Sequence, residues 1–486
     1  MSYVYEGLKP ASLWKNFAAM NQIPRPSKHE DKIQAFAKKF GEDLGLETIV
    51  DEVGNVIVRK PATPGMENRM GLILQGHLDM VPQKNSDTDH DFLKDPIQTY
   101  VEDGWVKAKG TTLGADNAIG VAAGMAVLEA TDLVHGPIEV LMTADEETGM
   151  TGANGLKPGV LKGDILMNLD SEDEGELYIG CAGGVNTNIV FDYTEETVPA
   201  RMLAYKISLT GLKGGHSGLD IHLGRGNANL LINRLMLNAS ERYGMRLASI
   251  DGGSLRNAIP REAFAEVVVP EGEAKEFEAF VEEFLAFAKN ELKENDPGLS
   301  LVAEKIDLPA TLIDAETQAN LFEAVNTCPN GVYAMSKDMP DVVETSTNLA
   351  VIKSENGKIN IASLQRSAVD SEKAKVSQQM FDVFKNAGGN PAFSGEYPGW
   401  KPNVNSPILK AMKEGYNNKF GRIPEVKVIH AGLECGILGA KYPNWDMISF
   451  GPTIRNPHSP DEMVNIETVE LFWEFLIETL KNAPLK

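Results

Sequence analysis

Residue types that bind metal ions follow one short apolar segment after another in this sequence. These segments have the length of β-strands and alternate with helical patterns, an order that is typical of a largely parallel sheet. Ligands of such sheets bind beyond the carboxyl ends of the strands. The polar residues that follow the predicted strands, or precede a predicted helix, are His77, Asp79, Asp116, Glu146, Glu147, Asp170 and His458. One such position could arise by chance, but the full set indicates a shared site at one sheet edge.

The first and last parts of the chain carry this α/β pattern. Ser27 and Glu30 match a capping box, which predicts the start of a helix. Apolar residues at helical or strand spacing predict the remaining elements. The predicted strands are 53–58, 72–74, 138–142, 165–167 and 447–450, and the predicted helices are 33–44, 119–130 and 469–480.

The middle of the chain has a different order of elements, in which groups of strands alternate with single helices. Its predicted strands are 203–209, 264–269, 299–306, 342–352 and 358–364, and its predicted helices are 227–239, 273–294, 315–327 and 371–386. This order is typical of an α+β domain. We therefore predict an α/β domain with a mostly parallel central sheet, residues 1–183 and 396–486, interrupted by an inserted α+β domain, residues 184–395.

The charge and cysteine content limit the partners and the compartment. The chain has 46 Lys and Arg against 69 Asp and Glu, a formal net charge of −23. This excess of acid argues against a nucleic-acid or anionic-membrane partner, because phosphate binding needs clustered cations. The start of the chain lacks the pattern of a secretory signal, and no segment approaches the ~18 apolar residues of a membrane span. Three scattered cysteines fit reduced thiols, so we expect a cytoplasmic protein.

The residues after the strands suit a site with two metal ions. Two histidines and three carboxylates can hold two divalent cations ~3.5–4 Å apart, as in two-metal hydrolases. The charges of Asp116, Glu147 and Asp170, with one hydroxide, balance two such cations. Asp79 lies two residues after His77 and can accept the second ring N–H of that histidine. Glu146 remains as a general base for water.

Each of these residues also has an ordinary structural explanation. His77 could be a buried core histidine, and Asp116 could cap a helix. Asp170 lies in the acidic segment 170–174, which could be a solvated surface. These explanations are weakened by the joint placement, because adjacent carboxylates repel one another and are tolerated next to a cation.

Several longer motifs resemble one family of peptidases over nearly the whole chain. They are GHLDM (76–80), GTTLGADNAIG (110–120), TADEETGMTGA (143–153), NLDSEDEGE (168–176), GGHSG (214–218), SLQRSAVDS (363–371), HAGLECG (430–436) and GPTIRNPHSPDE (451–462). The chain resembles the aminoacyl-histidine dipeptidases, also called cytosol non-specific dipeptidases. These form a bacterial branch of the di-zinc peptidase superfamily, which also holds carnosinases and aminoacylases.

The resemblance implies a distribution of ligands between two zinc ions. His77 and Asp170 would hold one zinc, Glu147 and His458 would hold the other, and Asp116 would bridge them. Cobalt or manganese could replace zinc, since both accept this set of nitrogen and oxygen ligands.

The resemblance also implies the catalytic residues. Asp79 and Glu146 would form the catalytic pair, and the peptide bond between Asp116 and Asn117 would be cis. Metal-bound hydroxide would attack the scissile carbonyl, with Glu146 as the general base.

The inserted domain would serve as a lid and as the contact of a homodimer. His216 would reach the active site of the partner and stabilise the oxyanion. Asn257, Arg366 and Gly432 would contact the substrate. The chemistry of Arg366 supports substrate binding independently of the resemblance. A dipeptidase must recognise a free carboxylate, and arginine binds one with two parallel hydrogen bonds.

The predicted function is the hydrolysis of unblocked dipeptides with broad specificity, including Xaa-His dipeptides such as carnosine. One alternative is an exopeptidase or deacylase of the same superfamily. Another is a metal-binding or interaction protein without activity, against which the presence of Glu146 argues.

Overall fold

A computed structural model describes residues 3–486 of the chain, which divide into two compact units. The first unit comprises the described residues up to Gly180, together with Trp400–Val428 and Leu433–Lys486. The second unit comprises Cys181–Gly399 and Ile429–Gly432.

The segment Ile429–Gly432 lies in the second unit, whereas the sequence analysis assigned it to the first domain. Hydrogen bonds within the second unit account for this difference. The amide of Ala182 donates to the carbonyls of Ile429 and Ala431, and the His430 ring bonds to the Ser346 hydroxyl at 2.7 Å.

The first unit begins with two helices and continues through strands that alternate with helices. In chain order its elements before the second unit are α1 Ala11–Asn21, α2 Asp31–Asp43, β1 Glu47–Val50, β2 Val56–Lys60, β3 Leu72–His77, β4 Thr99–Glu102, β5 Trp105–Ala108, α3 Ala115–Glu129, β6 Ile138–Thr143, α4 Glu146–Gly149, α5 Thr151–Gly155, β7 Ile165–Asn168 and β8 Glu176–Cys181.

The second unit is rich in antiparallel strands. Its elements are β9 Gly183–Asp192, β10 Glu195–Thr197, β11 Met202–Thr210, β12 Gly215–His216, α6 Ala228–Tyr243, β13 Arg246–Gly252, β14 Ala258–Ile259, β15 Ala263–Pro270, α7 Ala274–Glu291, β16 Ser300–Ile306, β17 Thr311–Ile313, α8 Ala315–Thr327, β18 Gly331–Met335, β19 Val343–Glu355, β20 Lys358–Ser367, α9 Asp370–Asn386 and β21 Asn390–Tyr397.

The chain then returns to the first unit. The remaining elements are α10 Pro407–Phe420, β22 Glu425–Ile429, α11 Glu434–Lys441, β23 Asp446–Ser449, β24 Ile454–Arg455, β25 Met463–Asn465 and α12 Ile466–Lys481.

The central sheet of the first unit has eight strands in the order β1-β2-β6-β3-β7-β23-β8-β22. The four strands β6, β3, β7 and β23 are parallel, while β2 and β8 pair with them in the antiparallel sense. The sheet is therefore mixed, and the expected parallel arrangement holds for its centre. The connection between β1 and β2, residues 51–55, is too short for a parallel crossover, which takes about a dozen residues or more.

The central strands are buried on both faces, as is typical of parallel strands covered by helices. Every residue of β3, β6 and β7 is buried. Helix α3 approaches β6 closely at Gly124, where an added Cβ would lie 2.8 Å from a methyl group of Val140. Small residues in this helix thus let it pack tightly against the sheet.

The predicted capping box at Ser27 and Glu30 is wrong. Helix α2 begins at Asp31, and Lys28 has a left-handed backbone with φ of 71°. The Ser27 hydroxyl instead donates a hydrogen bond of 2.8 Å to Asp79. A long-range acceptor therefore replaces the local one that the pattern suggested.

The second unit is the α+β structure that the sequence predicted. Its main sheet has nine strands, of which eight follow the order β16-β11-β15-β13-β19-β20-β9-β21 and β18 pairs with β19. Apolar side chains of the sheet pack with those of α6, α7, α8 and α9 in one core, which includes Leu235, Phe277, Phe322 and Phe384.

Membrane-spanning helices are not found within residues 3–486, because each helix there is too short or too polar to cross a bilayer.

Candidate metal centre

Three adjacent parallel strands deliver polar residues to one edge of the central sheet. His77 is the last residue of β3 and lies opposite Thr143, the last residue of β6. Gln75 of β3 lies opposite Asn168, the last residue of β7. Because these strands end close to the same level, the residues that come directly after them converge.

His77 faces two carboxylates through one ring nitrogen. Its Nε2 atom lies 3.0 Å from Oδ1 of Asp116 and 3.5 Å from Oδ1 of Asp170. Its Nδ1 atom lies 3.1 Å from the carbonyl oxygen and 3.3 Å from Oδ1 of Asp79. Acceptors therefore surround both ring nitrogens of His77. Although burial acts in the opposite direction, Asp170, Asp116 and Asp79 raise the pKa of His77 well above its ordinary value. A cation bound between His77, Asp116 and Asp170 would replace the Nε2 proton of His77, while Nδ1 would keep its contact with Asp79.

His458 makes a second group of the same kind. Its Nε2 atom lies 3.1 Å from Oδ2 of Asp116 and 3.0 Å from Oε2 of Glu147. The two oxygens of Asp116 thus face two different histidines. The next peptide bond, between Asp116 and Asn117, is cis, as the resemblance implied.

The donor atoms of these residues fit divalent cations. Three groups of these residues have donor atoms within 4.8 Å of one another and could hold a metal ion: His77 with Asp116 and Asp170, Asp116 with Glu147 and His458, and His77 with Glu146 and Glu147. A fourth group, Glu30 with Asp79 and Asp145, meets the same distance. Within the described chain, Oδ1 of Asp170 and Oε1 of Glu147 are buried without accepting a hydrogen bond. Imidazole nitrogens and carboxylate oxygens are the ligands that zinc and related metals prefer.

The pKa values show how much negative charge the cluster concentrates. Burial, with the nearby carboxylate of Asp116, raises the pKa of Asp170 to about 8. Burial also raises the pKa of Glu146 well above its ordinary value, together with Asp170 and Glu434. Hydrogen bonds to Asp116 and Glu147 raise the pKa of His458 to about 11. Without metal, the cluster therefore holds protons that a bound cation would displace.

Asp79 accepts several hydrogen bonds next to this cluster. It accepts from the Ser27 hydroxyl and from the backbone amides of Glu146 at 3.0 Å and Glu147 at 3.2 Å. Although burial acts in the opposite direction, His77 and these donors lower the pKa of Asp79 to about 2. The ionised Asp79 thereby holds His77 and the start of α4 in fixed orientations.

Glu434, at the start of α11, is a buried carboxylate for which the sequence analysis gave no role. Its Oε2 atom accepts from Gln75 at 2.5 Å and from the Thr143 hydroxyl at 2.7 Å. Burial raises the pKa of Glu434 to about 7. It adds a further negative charge to the same sheet edge.

Arg25 and Glu462 are two more buried ionic residues that sequence reasoning missed. Arg25 is 1% exposed, and Glu462 is 2% exposed. Glu462 lies within the motif 451–462, four residues after His458, which was the available signal for it. Arg25 stands between Pro24 and Pro26 and has no such signal in the sequence.

The other predicted residues, His216, Asn257, Arg366 and Gly432, lie in the second unit. His216 ends β12, and its Nδ1 atom accepts from the amides of Gly218 at 3.2 Å and Leu219 at 3.0 Å. The hydrogen of a neutral His216 ring is therefore on Nε2. Burial, with the charge of Arg366, lowers the pKa of His216 and favours this neutral form.

A groove of the second unit brings His216 and Asn257 together. The groove has a volume of ≈ 660 Å³, and the Asn257 carbonyl accepts from the amide of Ser217 at 2.8 Å. Arg366 is 5% exposed and donates to the Tyr397 hydroxyl at 3.0 Å. Gly432 ends the segment Ile429–Gly432.

Removal of metal should make the stability of the protein depend strongly on pH between pH 6 and pH 8. In the metal-free chain, Asp170, Glu434 and His458 have raised pKa values and hold protons in this range that the unfolded chain releases. The thermal midpoint of stripped protein should therefore fall as the pH rises from 6 to 8. Metal-loaded protein should show a smaller fall, because cations replace these protons. Equal pH dependence of the two samples in calorimetry would contradict a shared cluster.

Comparisons with known proteins agree with this geometry. The model of peptidase family M20/M25/M40 matches residues 73–482. The cytosol non-specific dipeptidase of Escherichia coli (strain K12) is 46% identical over 479 residues, which cover 99% of each chain. The crystal structure of aminoacylhistidine dipeptidase from Vibrio alginolyticus matches with a TM-score of 0.95 and 48% identity, over 100% of this chain and 99% of that one.

A more distant structure shares the fold alone. Aminopeptidase PepT from Bacillus cereus matches with a TM-score of 0.57 and 16% identity, over 98% of this chain and 99% of that one. The family of metallopeptidases that the sequence suggested is thus confirmed by a family model and by two similar proteins over nearly their full length. The chain belongs to peptidase family M20/M25/M40.

Proposed function

We propose that this chain is a metal-dependent dipeptidase that hydrolyses unblocked dipeptides with broad specificity. The observation that carries the proposal is Asp116, whose two oxygens face His77 and His458 at 3.0 and 3.1 Å. A carboxylate between two histidines is the arrangement that a two-metal hydrolase needs. The names of the two similar proteins support the choice of dipeptides.

Two zinc ions would occupy the cluster. His77 and Asp170 would hold one, Glu147 and His458 the other, and Asp116 would bridge them. Cobalt or manganese would be accepted by the same donor atoms. When bound, such ions polarise the scissile carbonyl and lower the pKa of the attacking water.

Glu146 would act as the general base and then as the general acid. It begins α4, and its backbone amide is fixed by Asp79. Its raised pKa suits a group that accepts a proton near neutral pH. Glu146 would take a proton from water as the water oxygen attacks the carbonyl carbon. It would then give this proton to the leaving nitrogen as the C–N bond breaks.

The second unit would recognise the substrate. Arg366 would bind the free carboxylate, and Asn257 and Gly432 would contact the peptide. His216 would donate from Nε2 to the oxyanion, since its Nδ1 atom is already an acceptor. The Vibrio relative is named an aminoacylhistidine dipeptidase, which supports Xaa-His dipeptides such as carnosine as substrates of this chain.

We also propose that the protein is a cytoplasmic homodimer joined through the second unit. The name of the Escherichia coli relative supports the location. Strand β18 exposes Val332, Tyr333 and Met335, with relative exposures of 39%, 38% and 46%. Apolar residues on a short strand beside β19 suit a contact with a second copy. The charge of −23 argues against nucleic acid or an anionic membrane as a partner.

Replacement of Glu146 by glutamine should abolish turnover without removing metal. General acid–base catalysis contributes ~10²–10⁴-fold, so kcat should fall ~10²-fold or more. Metal content, measured by elemental analysis, should stay near that of the wild type. Glu52→Gln, at an exposed ion pair with Lys157, is the control and should keep full activity. Unchanged turnover in Glu146→Gln, or loss of metal, would contradict the assignment.

A free substrate carboxylate should be required because Arg366 would bind it. A dipeptide should be cut ~30- to 10³-fold faster than its C-terminal amide, since loss of a charge-assisted contact costs ~2–4 kcal/mol. Arg366→Met should reduce this preference, whereas Arg201→Met, at an exposed position, should preserve it. Equal rates on the acid and the amide in the wild type would show that the carboxylate is not recognised. A panel with tripeptides and N-acyl amino acids would reveal an exopeptidase or deacylase instead.

Subunit exchange should restore activity to a mixture of two inactive variants. If His216 acts in the active site of the partner, a mixed dimer of His216→Ala and Glu146→Ala has one complete site. Random exchange makes about half of the dimers mixed, so roughly a quarter of wild-type activity should return. No recovery after verified exchange would mean that His216 does not act across the dimer.

A further inference from the structure

Glu462 binds the segment that carries Asp116 through four consecutive backbone amides. Its Oε2 atom accepts from Leu113 at 2.8 Å and Gly114 at 2.9 Å. Its Oε1 atom accepts from Ala115 at 2.7 Å and Asp116 at 3.2 Å. The four amides run from the two residues before α3 into its first two residues, and one carboxylate pairs with all of them.

Glu462 is also joined to the segment that carries His458. It lies four residues after this histidine, and its amide donates to the carbonyl of Ser459 at 3.0 Å. The amide of Asp461 donates to the Ser459 hydroxyl at 3.2 Å. This compact turn means that a movement of Glu462 also moves the segment next to His458.

Arg25 links the same start of α3 to the end of β3. One guanidinium nitrogen donates to the carbonyl of Gly114 at 2.8 Å. The other lies 3.4 Å from the carbonyl of Leu78 and 3.3 Å from that of Asp79, directly after His77. Gly114 permits this contact, because an added Cβ would lie 2.5 Å from the guanidinium and its φ is 67°.

The charge of Glu462 also acts on Arg25. Both are almost fully buried, and Glu462 is the leading charge that offsets the burial of Arg25. Removal of Glu462 would leave four backbone amides without their acceptor, and removal of Arg25 would take the donor from the carbonyls of Leu78, Asp79 and Gly114.

We infer that Arg25 and Glu462 form a clamp that sets the relative positions of the three segments bearing His77, Asp116 and His458. The inference rests on the proposed function, since it takes these three residues as metal ligands. Arg25 and Glu462 are positioning residues that touch backbone and hold the ligands apart at the spacing two cations need. Partners of this kind, beyond the ligands themselves, commonly change metal affinity 10- to 100-fold when they are replaced.

The test is the zinc affinity of metal-stripped protein, measured by competition with a chromophoric chelator. Glu462→Gln turns one acceptor oxygen into a donor that faces two amide donors, and should weaken zinc binding about 10- to 100-fold. Arg25→Lys cannot reach all of its carbonyls at once and should have a similar effect. Two matched controls should bind zinc like the wild type. They are Glu467→Gln, at an exposed position in the first turn of α12, and Arg201→Met.

Circular dichroism and urea unfolding of the stripped variants separate positioning from general stability. A variant with a lower urea midpoint but wild-type zinc affinity would overturn the clamp and leave a structural role alone. Arg25→Lys serves for the measurement if Glu462→Gln does not fold. The variant with both substitutions should lose much less affinity than the sum of the single losses, because both act on one segment. Additive losses would show two independent roles and would contradict the clamp.

Zinc binding by the wild-type protein distinguishes a failure of the clamp from a failure of the proposed function. Wild-type protein that binds two zinc ions, with both variants binding equally well, would contradict the clamp alone. Wild-type protein that binds no zinc would contradict the proposed function and the clamp together.

Discussion

Repulsion among buried carboxylates is the constraint on which the first unit depends. Asp79, Asp116, Glu146, Glu147, Asp170 and Glu434 all meet at one edge of its sheet. Burial and mutual proximity raise the pKa of Asp170 to about 8 and that of Glu434 to about 7. A folded chain tolerates several carboxylates this close together when positive charge lies among them. His77 and His458, whose pKa values are raised, supply part of that charge, and bound cations would supply the rest.

The surrounding structure holds these groups in place with neutral donors and one buried cation. Asp79 is fixed by a hydroxyl and two backbone amides, and Glu434 by an amide side chain and a hydroxyl. Glu462 accepts from four backbone amides, and its charge offsets the burial of Arg25. These contacts fix Asp79, Glu434 and Glu462 beside the cluster, whereas Oδ1 of Asp170 and Oε1 of Glu147 are buried and accept no hydrogen bond within the described chain. Preorganisation of this kind lowers the cost of gathering ligands when metal binds.

Polar residues at the ends of parallel strands could be predicted to share a site from the sequence alone. His77 and Asp170 could be placed together because β3 and β7 are neighbours and end close to one level. Contacts between distant segments could not be predicted in this way. Ser27 matched a local capping pattern, yet its hydroxyl donates to Asp79, 52 residues away. The antiparallel flanks of the sheet depend on short connections, and Glu462 depends on amides 346 to 349 residues away, for which no periodic pattern exists.

Anomalous diffraction from zinc-loaded crystals would locate the cations in this cluster. We expect two peaks per chain at the zinc absorption edge. One should lie between His77 and Asp170, the other between Glu147 and His458, and an oxygen of Asp116 should contact each. A single peak, or peaks whose ligands exclude Asp116, would contradict the view that this cluster of carboxylates is built around two cations.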